Sequence, residues 1–218
     1  MTMPAPPRGP LASRSRAAGA ADVTDVRPKG EGIRETARPG PAAASAPGGR
    51  PGLAFLRAHP AHWVALALGA GLAPKAAGTV GTLWAWAVWA GLVQPWLTPA
   101  QQGALIAVAL PLGWWASAVT ARHLRMADPG AIVWDEVVAF WLVLWLLLPA
   151  SLAAQCLAFG LFRFFDAVKP GPVGWADRLF HRAGGWRGAL GIMLDDLAAA
   201  ACTLLVLAVA VRAQWLGA

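Results

Sequence analysis

Five apolar runs of 14–23 residues, three of them broken by charged side chains, constrain this chain more than any other feature. They are Leu83 to Leu97, Gly103 to Val119, Ile132 to Leu148, Leu152 to Phe165 and Ala189 to Val211. None shows the alternation of a strand, and their lengths suit helices. In lipid the backbone must satisfy its own hydrogen bonds, which leaves helices or closed barrels. The expectation is an all-α integral membrane bundle of about five spanning helices. A sixth apolar stretch, Trp63 to Leu72, is too short to span and reads as a short N-terminal re-entrant or interfacial helix. Composition agrees. Only 13% of the 218 residues are charged, against about 25% for a soluble domain. The chain has 13 Trp and no Tyr, and Trp favours the membrane interface.

Residues 1–50 differ. They are rich in Pro, Gly, Ala and Arg, hold eight Lys/Arg and four Asp/Glu, and are poor in large apolar residues. Such a segment cannot offset the entropy of ordering and is expected to be a disordered tail. It has no apolar core of a secretory signal. Residues 51–218 are expected to form one membrane-embedded catalytic domain. No long basic stripe with interleaved aromatics lies outside the apolar runs, so nucleic acid is not an expected partner. Cys156 and Cys202 lie inside apolar runs and read as small buried hydrophobes. The spacing from Cys156 to Arg163 misses that of a cysteine-phosphatase loop by one residue, and the residues between are apolar.

Short basic loops belong on the cytoplasmic side. Placing Arg122, His123 and Arg125 there orients every other run. Lys75 to Thr82 then lies inside, the turn from Gln94 to Gln101 outside. Asp166 and the loop 167–188 return to the inside, and Asp195-Asp196 sits one to two turns deep. One basic loop set the orientation, and all polar clusters fell on one face. His123 and His181 read as solvated loop residues, and the Trp residues as packing or interface anchors.

The gathered set is Lys75, Thr79, Thr82, Asp135, Glu136, Arg163, Asp166, Lys169, Asp195 and Asp196. An intramembrane carboxylate costs about 2.5–3.5 kcal/mol on insertion scales. A purely structural bundle has no use for four of them. Carboxylates without His or Cys suit a hard ion, Mg²⁺ above all, and any subset of Asp135, Glu136, Asp166, Asp195 and Asp196 could ligate it. Lys and Arg suit a phosphate. The loop Gly78-Thr79-Val80-Gly81-Thr82 offers backbone N–H groups at a helix start, which favours anions. Together these describe a metal-dependent phosphoryl site. Simpler roles compete at single positions. Asp135 and Glu136 could complement a helix dipole, and Arg163 with Asp166 could be an i,i+3 pair.

At these residues the chain resembles the phosphatidylglycerophosphatase A family. The matching stretches are Gly71 to Thr82, Asp135-Glu136-Val137-Val138, Phe162 to Asp166 with Lys169-Pro170, and Gly191 to Asp196. Order and spacing agree from about residue 62 to 212. The resemblance implies Mg²⁺-dependent hydrolysis of phosphatidylglycerophosphate at the cytoplasmic face of a bacterial inner membrane. It implies that the family's acids and bases fall here on Lys75, Asp135, Glu136, Arg163, Asp166, Lys169, Asp195 and Asp196. Two other readings stand beside it. One is another membrane lipid phosphatase or headgroup transferase, but the D-x2-D-G-x2-A-R, P-S-G-H and D-x-D-x-[TV] runs are absent. The other is a small cation- or proton-coupled transporter, whose acids would be strung through the midplane.

Overall fold

The structure, a computed structural model, describes residues 50–180, 183 and 185–212. The expected tail up to residue 49 and the loop residues His181 and Arg182 lie outside the described residues. Among the described residues the chain is all-helical, with no strand. Helix α1 is Leu53–Ala58 and α2 is Pro60–Ala65, followed by a 3-10 turn at Ala67–Leu72. Then come α3, Ala77–Val88, with a π-turn at Trp89–Val93, and α4, Pro99–Leu124. The remaining helices are α5, Trp134–Leu146; α6, Leu152–Val168; α7, Pro172–Phe180; and α8, Gly185–Arg212.

Helices α4 and α8 are long and apolar enough to cross a membrane. At about 1.5 Å per residue, their 26 and 28 residues exceed a hydrocarbon core of roughly 30 Å. Two such helices suit association with a membrane. The starts of α4 and α6 are dictated locally. Thr98 and Gln101 form a reciprocal capping box, with Pro99 at the first helical position. Ser151 accepts from the Ala154 N–H at 3.2 Å to open α6. Such caps are worth about 1 kcal/mol each.

Helix α8 packs against α4, α5, α6 and α7, and α5 also against α3 and α4. The core is filled by Trp89, Phe140, Phe162, Leu207 and a run of buried Val on α5. Buried Trp rings need a partner for their N–H. Trp141 donates to the Ala85 carbonyl at 2.9 Å, and Trp134 to the Ala109 carbonyl at 3.1 Å. Trp141 thus links α5 to α3, and Trp134 links it to α4.

Five sequence expectations need correction. The stretch Gly78 to Thr82 is not a loop but the first turns of α3. Thr82 Oγ1 donates back to the Gly78 carbonyl at 2.9 Å, and the glycines are tolerated because α5 needs the space. The polar loop 167–188 contains α7, whose Val173, Ala176 and Phe180 recur at helical spacing and seat it on α8. Cys156 is exposed, on the outward face of α6, while Cys202 is half-buried; both are free. His123 is not simply solvated. Its Nδ1 is hydrogen-bonded to Nε2 of the buried His62 at 2.8 Å, tying α4 to α2. The short N-terminal element is itself divided, because Leu68 and Gly69 adopt positive φ and kink the chain after α2.

Candidate functional site

Two cation-centred clusters draw on α3, α5, α6, α7 and α8. The first is built on Arg163. Phe162 is fully buried on α6, which orients the next residue along the helix. Arg163 Nη1 lies 2.6 Å from Asp166 Oδ2, one turn on, and 3.1 Å from Glu136 Oε1 on α5. It also donates to Thr82 Oγ1 on α3 at 3.3 Å. One guanidinium thus joins three helices. The close approach depends on Gly78: any Cβ there would overlap the Glu136 carboxylate and crowd the Arg163 guanidinium. Gly81 is packed as tightly, against Val133 and Glu136.

The second cluster is built on Lys169, the residue that ends α6. It adopts a left-handed backbone, φ 49°, at a cost of about 1–2 kcal/mol for a non-glycine residue. That turn places Nζ 2.6 Å from Asp177 Oδ1 on α7 and 2.5 Å from Asp195 Oδ2 on α8. Burial would lower the Lys169 pKa. The hydrogen bonds to Asp177 and Asp195 outweigh it and hold the ammonium above its ordinary range, so the side chain stays cationic.

Between the clusters lie Asp135, at the first turn of α5, and Asp196, on α8. Asp135 is 9% exposed and Asp196 2%. Asp196 is within electrostatic reach of Asp135, Glu136, Asp166 and Asp195. Asp135 Oδ1, Glu136 Oε2, Asp195 Oδ1 and Asp196 Oδ2 are all buried without a hydrogen-bond partner. Buried carboxylate oxygens left so are costly and call for a counter-charge. Their hard oxygen character fits a divalent cation such as Mg²⁺, although among the described residues no three acidic, His or Cys side chains form a ready metal cage.

The structure therefore brings together eight of the ten residues picked from sequence: Thr82, Asp135, Glu136, Arg163, Asp166, Lys169, Asp195 and Asp196. Thr79 is half-buried in the first turn of α3. Lys75 is exposed and instead lines a cavity of about 260 Å³ beside Pro74, Pro129 and Gly130. Two acids were missed. Asp177 bonds Lys169, and Asp128 lies within electrostatic reach of Asp135 and Asp195. With Asp195 they line a cavity of about 20 Å³ between α7 and α8, room for one water-sized occupant. Residues 51–218 contain seven Asp/Glu, and all seven belong to this one region. Counting the acids, rather than picking motifs, would have found the last two.

A helical protein with membrane-length apolar helices and a buried, cation-clamped carboxylate centre is the class that this fold and site define. Comparison with known proteins is specific. The sequence profile of the phosphatidylglycerophosphatase A family matches residues 63–211, and the chain belongs to that family. Phosphatidylglycerophosphatase A of Escherichia coli strain K12 is 32% identical over 142 residues, 65% of this chain and 77% of that protein. The Haemophilus influenzae protein of the same name is 33% identical over 153 residues, covering 68% and 86%. A Bacteroides thetaiotaomicron relative is 33% identical over 65% of this chain and 87% of its own, and carries the provisional name of a phosphatidylinositol-3-phosphatase. No solved structure gives a significant match. The profile contains every residue of both clusters.

Proposed function

We infer that this protein hydrolyses phosphatidylglycerophosphate to phosphatidylglycerol and phosphate at a membrane surface. The observation that carries the reading is the gathering of seven carboxylates in one region, four of them paired with Arg163 or Lys169, within the stretch of family similarity. A phosphomonoester presents oxygens that Arg163 and Lys169 can hold. A carboxylate of the Asp135, Glu136, Asp166, Asp195 and Asp196 set takes the proton of the attacking group. Mg²⁺, held by a subset of Asp135, Glu136, Asp166, Asp195 and Asp196, would neutralise charge developing on the phosphoryl oxygens. Thr82 fixes Arg163. Lys75 and Thr79 serve the approach of the headgroup rather than the acid centre.

The direct test is phosphate release by purified protein from phosphatidylglycerophosphate, with a phosphatidylinositol 3-phosphate arm. Release should be selective for the first lipid, vanish with a chelator and return with Mg²⁺. Full activity in excess chelator would remove the metal from the reading, and selective cleavage of the inositol lipid would change the substrate.

The same reading sets a topology: five crossings, by α3 with its π-turn, α4, α5, α6 and α8, in a bacterial inner membrane, with the site on the cytoplasmic face. The basic last turns of α4, at Arg122, and of α7, at Arg178, support it. Single cysteines there should label from the cytoplasm, and one at Thr98 from outside. Labelling of the two basic turns from opposite sides would rule this topology out.

A further inference from the structure

Helix α7 divides into two faces. Val173, Ala176, Asp177 and Phe180 form the face turned to the protein, at helical spacings of three and four. Val173 is fully buried, and Asp177 reaches Lys169. The seat on α8 is tight, since any Cβ at Gly191 would overlap the Phe180 side chain. The opposite face carries Pro172, Trp175, Arg178 and Leu179, all exposed. Trp175 is 61% exposed and Leu179 48%. A soluble surface does not gain from presenting a Trp and a Leu one turn apart.

The surroundings show what covers this face. Helix α6 ends just before α7 with Phe164 and Val168 exposed one turn apart, and α8 begins just after it with Trp186 exposed. Exposed apolar side chains thus flank α7 at the end of α6 and at the start of α8, a helix long and apolar enough to cross a membrane. The charges on that face are basic. Arg178 stands between Trp175 and Leu179, and Arg187, whose guanidinium lies 6.0 Å from the centre of the Phe180 ring, is exposed nearby. Trp favours the interfacial layer, and Arg beside it favours anionic headgroups. An amphipathic helix of this kind lies in the plane of the interface.

We propose that α7 is a membrane-surface helix, docking Trp175 and Leu179 into the headgroup–acyl boundary of an anionic bilayer while Arg178 stays among the headgroups. Nine residues span only about 13 Å, so it cannot cross. Its inner face carries Asp177 to Lys169, and docking therefore holds one partner of the catalytic cation at the depth of the lipid phosphates. That last step rests on the phosphatase reading; the docking itself does not.

The test needs no turnover. Single cysteines at 175, 178 and 179, in full-length protein with Cys156→Ser and Cys202→Ala, carry nitroxide labels in vesicles containing phosphatidylglycerol. All three positions are exposed, so the labels disturb no packing. Labels at 175 and 179 should favour dissolved oxygen over an aqueous nickel chelate at least about tenfold more than the label at 178, as expected at a depth of roughly 5–10 Å. In the 179-labelled protein, Trp175→Glu should lower that preference and Trp175→Phe should keep it. Free access of nickel to 175 and 179 would place α7 in water. Exclusion of both relaxants would show the face covered by protein, and either result overturns the proposal.

Discussion

Asp195→Asn and Asp196→Asn should each insert normally and lose at least about 100-fold in phosphate release. Asn keeps the volume of Asp and removes the charge. Asp196 is almost wholly buried and one of its oxygens has no partner, so nothing in the fold gains from its ionised form. If it were structural, neutralising it would be harmless or stabilising. A variant that folds at least as well and hydrolyses nothing would therefore assign Asp196 to chemistry. Asp195 differs, because one oxygen holds Lys169 while the other is orphaned. Its Asn variant should lose activity together with some of the hold on Lys169. Asp166→Asn joins this series, since its carboxylate pairs with Arg163 on the same helix. We expect at least two of the three variants to be nearly inactive. Near-normal turnover in all three, at equal expression and saturating Mg²⁺, would remove the site from these residues.

Much of this arrangement was legible in the order of residues. Long apolar runs give helices because lipid leaves the backbone no other partner. Acids inside such runs are costly enough to single out Asp135, Asp195 and Asp196. Arg163 and Asp166 were visible as an i,i+3 pair, and they do pair, with the guanidinium also spent on Glu136 and Thr82. What was not legible depends on contacts between distant segments. Gly78 and Gly81 read as part of a loop offering backbone N–H groups to an anion at a helix start. They serve instead as the flat face of a helix, which lets Glu136 approach. No local signal separates those uses of glycine. Asp177 lay in a stretch, 167–188, with two prolines and five glycines, which hid the short helix carrying it. Lys75 shared a motif with Thr82, but seven residues of chain turn it toward a different cavity.

Arg163→Met should cost about 3–5 kcal/mol of stability as well as activity, because it strips the counter-charge from two buried acids. The side chains of Arg163, Glu136 and Asp166 are 20%, 13% and 14% exposed, so water replaces little of what is lost. A surface ion pair would be worth at most about 1 kcal/mol. Methionine fills similar space, which keeps the loss electrostatic rather than a cavity effect. Thermal unfolding in detergent measures it. The pair with Glu136 can then be isolated. In a Glu136→Gln background the same Arg163→Met change should cost clearly less, since one of the two stranded acids is already neutral. Arg163→Lys sharpens the assignment. A lysine keeps the charge but not the guanidinium shape that brings Nη1 to Glu136, Asp166 and Thr82 at once. It should recover more of the stability than of the turnover. Equal recovery of both would make Arg163 a strut for its neighbours and leave Lys169 as the cation that receives the phosphate.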